Sequence, residues 1–249
     1  MRRKVVIPVS GGMDSTVLLH LACYMGYDDM YTISFDYGQR HIRELECAKW
    51  QLKDATKKWC MNGVKIYNKV IDVRYIKDIA PTSSLTNDNI ANPNIKDMAG
   101  DAQPLTYVPF RNNMFASIAC AYAEAEGAME VWYGTAQADS LAGMWDGSQE
   151  WLDSINTLIS LNRKSKIKIA APLIEMSKKD IILKGVELGV DFKNTITCYS
   201  GNEIADADTP SSSLRLKGFI DAKLKDPIQY IQQERINEVY KLRDCKDII

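Results

Sequence analysis

The chain has 249 residues, of which 46% are hydrophobic and 25% charged, a balance that excludes a disordered chain and allows one large α/β domain with at most a small appendage. The formal net charge of −1 gives no overall positive field for nucleic acid. No stretch approaches the roughly 18 consecutive apolar residues of a membrane-spanning helix, and the apolar run after Lys4 is too short for a signal peptide. We therefore expect a cytoplasmic protein with no direct nucleic-acid or membrane partner.

The hydrophobic pattern alternates between strand and helix along most of the chain. Short apolar runs rich in β-branched residues predict five strands, over residues 5–9, 31–35, 64–73, 129–133 and 167–171. Apolar residues at helical spacing predict seven helices, over residues 15–24, 42–59, 112–126, 149–161, 177–188, 211–224 and 227–242. This alternation is typical of a parallel sheet with helices on both faces. We place that domain at residues 1–191, with a small helical region at residues 192–249 packed on it.

Residues 80–108 interrupt the alternation. The segment contains three prolines, four asparagines and few apolar residues. A loop of this length inside a compact domain is usually functional or disordered. We predict that it covers a bound substrate.

The most informative stretch is residues 10–16, which lie between the first strand and the first helix. Two glycines let the backbone approach an anion closely, and the amides that begin a helix carry the positive end of its dipole. Serine and threonine hydroxyls add donors, so the stretch predicts a cradle for pyrophosphate. We expect the nucleotide to contact the whole stretch: Ser10, Gly11, Gly12, Met13, Asp14, Ser15 and Thr16.

Asp14 is the unexpected member of this stretch, because a carboxylate repels phosphate. Mg²⁺ bound to both would remove the conflict, since Mg²⁺ takes one or two carboxylates together with phosphate oxygens. The stretch lacks the lysine of the common GxxxxGK[ST] loop and does not have the GxGxxG spacing. The plain structural interpretation is a helix start capped by a Ser, Thr or Asp side chain.

Residues 10–16 resemble the SGGxDST loop of the PP-loop, or N-type, ATP pyrophosphatases. The resemblance implies a Rossmann-like fold of the HUP (adenine nucleotide alpha hydrolase-like) type. It also implies ATP cleavage between the α and β phosphates. An acceptor oxygen takes AMP, pyrophosphate leaves, and a nucleophile then displaces AMP.

Further stretches resemble the 7-cyano-7-deazaguanine synthase branch of that class, and the resemblance covers nearly the whole chain. FDYGQRH is the most specific of them, and Phe110 stands where the family has glycine in its VPGRN segment. The stretches are residues 35–41 (FDYGQRH), 84–86 (SLT), 107–112 (YVPFRN), 172–179 (PLIEMSKK), 197–199 (TCY) and 215–219 (RLKGF).

The resemblance and the chemistry of the side chains together suggest a site. Beyond the phosphate loop, the expected nucleotide contacts are Phe35, Gln39, Arg40, His41 and Gly134. The expected substrate contacts are Tyr37, Leu85, Arg111, Asn112, Asp139 and Trp145. The expected catalytic residues are Asp14, which also holds Mg²⁺, with Arg111 and Lys178.

Several of these assignments have ordinary alternatives. His41 could cap a helix, and Asp139 could be a plain loop residue. Lys178 lies at a helix start, where the dipole disfavours a cation, so contact with phosphate would compensate, although it could be a surface lysine. Trp145 could stack on a heterocycle or be buried.

The chain departs from the family in two places. The family has a four-cysteine zinc site, whereas here Cys198 remains and the other aligned positions are Asp206, Thr209 and Ser212. Structural zinc needs four ligands, so we predict no zinc. The GYPDCR-like stretch of the family's base pocket is also altered, to residues 143–148 (GMWDGS).

The resemblance implies ATP-dependent adenylation of 7-carboxy-7-deazaguanine, followed by attack of ammonia to give the amide and then the nitrile. A second hypothesis keeps adenylation but joins the 7-deazaguanine acid to a protein amine, as in antiphage defence operons. A third is a nucleotide sensor without catalysis. The family resemblance further suggests a homodimer.

Overall fold

The computed structural model describes residues 2–38, 42–60, 63–87, 89–91, 105–136, 145–196 and 204–248. The predictions for Gln39, Arg40, His41, Asp139 and Cys198 lie outside the described residues.

The described residues form a five-stranded parallel sheet in the order β3-β2-β1-β4-β5. Its strands are β1 (Lys4–Pro8), β2 (Asp29–Asp36), β3 (Lys65–Asp72), β4 (Glu130–Trp132) and β5 (Lys168–Ala170). In the centre, Val5 pairs with Met30 of β2 on one side and Glu130 of β4 on the other. The Rossmann-like parallel sheet predicted from the sequence is confirmed.

The helices described are α1 (Met13–Tyr24), α2 (Ile42–Trp59), α3 (Ile76–Ile79), α4 (Arg111–Glu126), α5 (Gln149–Ile159), α6 (Lys178–Glu187), α7 (Pro210–Asp221) and α8 (Gln233–Leu242). The last helix begins at Gln233 rather than at residue 227, so that part of the prediction is wrong. The cause is tertiary: Tyr230 forms a β-bridge with Ala205, and the Ile231 amide donates to the Ala205 carbonyl. The short α3 was not predicted.

The two faces of the sheet bury separate cores. Successive side chains of a strand point to opposite faces: Val5 and Ile7 join the core with α1, α2 and α6, whereas Val6 joins the core with α4 and α5. The side chains of Val5, Val6 and Ile7 are all fully buried. The position after β1 is therefore the rigid centre of the carboxyl edge of the sheet, where doubly wound folds bind ligands.

Residues 80–108 are packed at both described ends. Ser83, Ser84 and Leu85 are buried, as is Val108, and the Ser84 amide donates to the Leu105 carbonyl at 2.8 Å. These ends close over the second core instead of standing free of it. The predicted covering role for the segment stays a prediction, since residues 92–104 fall outside the described ranges.

A third, smaller core lies at the C-terminal end, where Tyr230, Ile236 and Tyr240 pack together. The boundary at residues 191 and 192 stays a prediction. In the portions of the chain that the structure describes, none of the helices has the length and apolar character needed to cross a membrane.

Candidate active site

The phosphate loop requires glycine at position 11. Gly11 has a left-handed φ of 84°, and a Cβ there would lie 2.3 Å from the Glu44 carbonyl oxygen and 2.7 Å from the Ala48 nitrogen. No real Cβ tolerates such contacts with backbone atoms. The first turns of α2 therefore press directly against the loop, and only glycine fits between them.

The start of α1 is not capped by a side chain. Gly12 is the N-cap residue and has no side-chain acceptor. The hydroxyls of Ser15 and Thr16 donate instead to the Gly12 carbonyl, at 3.2 and 2.8 Å. Met13 is buried in the core, so only its backbone can face an anion. The interpretation as a Ser, Thr or Asp cap is thus not what the structure shows, and the loop retains the form of an anion cradle.

A cavity of about 280 Å³ opens above the loop. One side comes from the residues that follow β2, and the other from those that follow β4 and begin α4. The predicted site residues on its wall are Ser10, Gly12, Asp14, Ser15, Phe35, Tyr37, Arg111, Asn112 and Gly134. Ligand-facing residues predicted from four separate stretches of sequence thus meet in one cavity.

Asp14 and Lys178, two of the predicted catalytic residues, form an ion pair. The Nζ of Lys178 lies 2.9 Å from Oδ2 of Asp14, and the two side chains are 11% and 21% exposed. The other carboxylate oxygen, Oδ1, is buried without a hydrogen-bond partner among the described residues. An unpaired carboxylate oxygen beside a phosphate cradle fits Mg²⁺, which prefers oxygen ligands.

Lys178 is the first residue of α6, whose start is fixed by a capping box between Ser177 and Asp180. Gly218 of α7 packs against it, since a Cβ at Gly218 would lie 2.9 Å from the Cβ of Lys178. The cation is therefore held by two helices, which restricts where its ammonium can reach.

Arg111 and Asp146 form the charged part of the opposite wall. The Arg111 guanidinium lies 5.5 Å from the Tyr37 ring centroid, and its Nε donates to Asn112 at 3.2 Å. Asp146 is only 4% exposed. Burial raises the pKa of the Asp146 carboxyl, and the positive charge of Arg111 opposes that shift. This wall can bind a carboxylate through the guanidinium and a hydrogen-bond donor through the carboxyl group.

Asp146 was not among the residues singled out from the sequence. It lies in a short 3-10 helix, Trp145–Gly147, and nothing in its local pattern distinguishes it from a loop aspartate. The other wall residues that were not predicted are Pro8, Val9, Glu44, Leu45, Phe115, Tyr133, Thr135 and Gly147. Their role depends on tertiary contacts such as the Phe35–Phe115 stack, whose centroids are 3.9 Å apart.

Two predicted substrate contacts lie away from the wall. Leu85 is buried in the second core and does not line the cavity. Trp145 is 37% exposed and contacts Phe110 edge to face. It is thus not a core residue, and it lies beside the cavity-lining Asp146.

The C-terminal region supports the phosphate loop through a series of hydrogen bonds. Arg215 is fully buried and binds both oxygens of Asp226, at 2.7 and 2.9 Å. It also donates to the Thr195 hydroxyl at 2.7 Å, and the amide of the next residue, Ile196, donates to the Gly11 carbonyl at 3.1 Å. A continuous chain of contacts therefore joins the RLKGF stretch to the loop.

Two of the positions that align with the family's zinc cysteines, Asp206 and Thr209, form hydrogen bonds. The Asp206 carboxylate accepts from Gln232 Nε2 at 2.8 Å, and the Thr209 hydroxyl donates to the Asp206 carbonyl at 2.9 Å. Within the described ranges, no group of three or more His, Cys, Asp or Glu side chains could hold a metal ion. The absence of zinc stays a prediction, as Cys198 is not among those residues.

The fold and the cavity define a class of protein: a parallel, Rossmann-like enzyme with a PP-loop at the end of its first strand. The family described as queuosine biosynthesis protein QueC matches residues 4–223, and the chain belongs to that family. The chain is 37% identical to 7-cyano-7-deazaguanine synthase of Clostridium kluyveri, over 92% of this chain and 98% of that one. It is 38% identical to the synthase of Thermoplasma volcanium, over 99% of both chains.

Among solved structures, NMN synthetase from Francisella tularensis is similar at a TM-score of 0.48 and 15% identity, covering 96% of this chain and 86% of that one. The predicted family and the predicted type of enzyme are confirmed by the curated relatives and the family match.

Proposed function

We propose that this chain uses ATP to adenylate the carboxylate of 7-carboxy-7-deazaguanine and passes the acyl group to ammonia, giving the amide and then the nitrile. The observation that carries the proposal is one cavity lined by both the phosphate loop and the Arg111–Asp146 wall. An anion cradle beside a fixed guanidinium suits two anionic reactants that must meet. The QueC family match supports this choice of acid.

The first chemical step forms a bond between a carboxylate oxygen and the α-phosphorus, and the bond to the pyrophosphate oxygen breaks. The amides of the phosphate loop and the Lys178 ammonium stabilise the charge that grows on the departing pyrophosphate. Arg111 orients the carboxylate for attack. Holding the carboxylate next to the α-phosphorus in this way accounts for much of the rate acceleration. Mg²⁺, held by Asp14 and phosphate oxygens, would supply further neutralisation of that charge.

The second step forms a bond between the ammonia nitrogen and the acyl carbon, and AMP leaves with one of the original carboxylate oxygens. A proton is lost from nitrogen, and the amide results. Repeating the activation on the amide oxygen with a second ATP, with loss of the amide protons, gives the nitrile and a second AMP. No side chain forms a covalent intermediate in this scheme.

The test incubates the protein with ATP, Mg²⁺ and 7-carboxy-7-deazaguanine, with and without ammonium, and follows AMP and the deazaguanine by mass spectrometry. Ammonium-dependent conversion to the nitrile is the expected result. Conversion of the acid that stops at the acyl adenylate or at the amide would favour a protein amine as acceptor. Absence of both acid-dependent AMP and the acyl adenylate would contradict the proposed substrate.

We further propose that the protein works as a homodimer in the cytoplasm. Sedimentation or light scattering would show the dimer, and a monomeric mass would contradict it.

A further inference from the structure

Phe110, the residue before the cavity-lining Arg111, is held in an unfavourable backbone conformation. Its backbone is left-handed, with φ 54° and ψ 15°, directly before α4. A bulky side chain with positive φ is rare. The other described non-glycine residues of this kind, Lys223 and Asp244, each follow the last turn of a helix, where this conformation is common. Phe110 instead precedes a helix, where no such capping need exists.

Burial in the core does not explain why a phenylalanine occupies this strained position. Its side chain is 59% exposed, and its ring meets Trp145 edge to face with centroids 5.8 Å apart. Glycine would adopt the same backbone without strain. Strained residues persist mainly where function requires them, so the exposed ring calls for a binding role.

The two rings stand beside the polar wall of the site. Phe110 directly precedes Arg111, and Trp145 directly precedes Asp146, and both of these neighbours line the cavity. Both rings are partly exposed, and although neither lines the cavity, each belongs to the residue next to one that does. A flat aromatic ligand anchored by Arg111 and Asp146 would meet these two side chains next.

We infer that Phe110 and Trp145 form a stacking subsite for the planar heteroaromatic ring of the acid substrate, and that they make the site selective for flat acids. The inference rests on the proposed function, since it assigns the acid to the Arg111 side of the cavity and ATP to the phosphate loop. Stacking on aromatic side chains recognises any flat ring, so the subsite selects heteroaromatic acids over aliphatic ones. The hydrogen-bonding groups of the wall then select among flat rings.

Three substitutions at position 110 separate the effect of the aromatic ring from the effect of the backbone strain. Phe110→Gly removes both, Phe110→Leu keeps the strain and the apolar bulk without a π face, and Phe110→Tyr keeps both. Tyr24→Ala is the matched control, because Tyr24 is also exposed, at 62%, and meets Trp59 edge to face at 6.4 Å, at the far end of α1 from the loop.

The experiment measures the Kd for 7-carboxy-7-deazaguanine and, separately, for ATP, by calorimetry on each purified full-length variant. Phe110→Gly and Phe110→Leu are expected to weaken acid binding about tenfold, whereas Phe110→Tyr and Tyr24→Ala keep wild-type affinity. The melting temperature of Phe110→Gly is expected to equal or exceed that of wild type, because the strain is relieved. That combination excludes misfolding as the cause of weaker binding.

Unchanged acid affinity in Phe110→Gly would overturn the subsite while leaving the proposed function standing. A matching loss of ATP affinity in Phe110→Gly would also overturn it, since the rings would then contact the adenine. Failure of the wild-type protein to bind the acid at all would instead overturn the proposed function, and the stacking subsite with it.

Discussion

Lys178 Nζ lies 2.9 Å from Asp14 Oδ2, so two residues 164 positions apart in the chain form an ion pair at the phosphate loop. The pair neutralises a carboxylate that would otherwise repel ATP. It also places an ammonium beside the loop that we propose binds pyrophosphate. Since Asp14 keeps a second oxygen without a partner among the described residues, it can hold a cation while Lys178 turns to phosphate.

Lys178→Met is expected to lower acid-dependent pyrophosphate release about 10²- to 10³-fold, the range seen when one group that stabilises transition-state charge is removed. The neighbouring Lys179, which is exposed, provides the control as Lys179→Met. A coupled pyrophosphate assay measures both. Equal rates in the two variants would show that Lys178 serves only as the structural partner of Asp14.

Gly11→Ala is expected to destabilise the protein by about 2 to 4 kcal/mol, because a Cβ there adds steric overlap with α2 to an unfavourable φ. Gly26→Ala separates the two costs. Gly26 has a similar φ of 78° but nothing within 4 Å of a new Cβ, so about 1 kcal/mol is expected. Urea unfolding measures both free energies. Equal losses would mean that α2 moves aside to admit the methyl group.

Arg215→Met is expected to cost about 3 to 5 kcal/mol, because it leaves the Asp226 carboxylate buried and unpaired. The same helix carries an exposed pair, Lys217–Asp221, and Lys217→Met should produce no measurable change in chemical denaturation. Because Arg215 also holds Thr195, next to the Ile196 contact with Gly11, the remaining folded protein should bind ATP more weakly. Full ATP affinity in folded Arg215→Met would contradict the supporting role of the C-terminal region.

The buried imidazole of His20 is expected to make the fold sensitive to acid. Burial lowers the pKa of His20 to about 4, with a further lowering by Lys58 and an opposing effect of Asp54. The unfolded chain, with the ordinary value of 6.5, binds a proton that the folded chain does not. The contribution of neutral His20 to the free energy of unfolding is therefore fully present above pH 6.5. It is lost as the pH falls toward 4, which lowers that free energy by up to about 3 kcal/mol.

The matched variant is His20→Asn, which keeps an acceptor for the Trp59 indole that now donates to Nδ1 at 3.3 Å. Urea unfolding between pH 7 and pH 4.5 is expected to show a shallower loss in the variant than in wild type. Parallel curves would mean that His20 is protonated in the folded state as readily as in the unfolded one.

The sequence predicted the sheet well, and it predicted the glycine turn between β1 and α1, because both depend on local signals. The apolar run before Ser10, the two glycines and the start of α1 lie within one short stretch. The site around Arg111 was predicted only in part. Asp146 gains its role from burial against Arg111, 35 positions away, and the buried Arg215–Asp226 pair depends on the packing of α7.

The errors have the same origin. Leu85 is expected at the substrate because residues 84–86 resemble a segment of the family, yet its apolar side chain packs into the second core. The last helix was begun too early because the bridge between Tyr230 and Ala205 joins residues that local periodicity does not relate. Contacts between distant residues set the pocket, and single-sequence patterns do not encode them.

The central claim is that a carboxylate oxygen of the acid attacks the α-phosphorus of ATP. The direct measurement uses 7-carboxy-7-deazaguanine labelled with ¹⁸O in both carboxylate oxygens, with ATP, Mg²⁺ and ammonium, and reads the mass of the AMP formed. The account predicts that each activation step releases one AMP molecule carrying one ¹⁸O atom, and that the pyrophosphate is unlabelled. Unlabelled AMP, or label in pyrophosphate or inorganic phosphate, would contradict adenylation of the carboxylate.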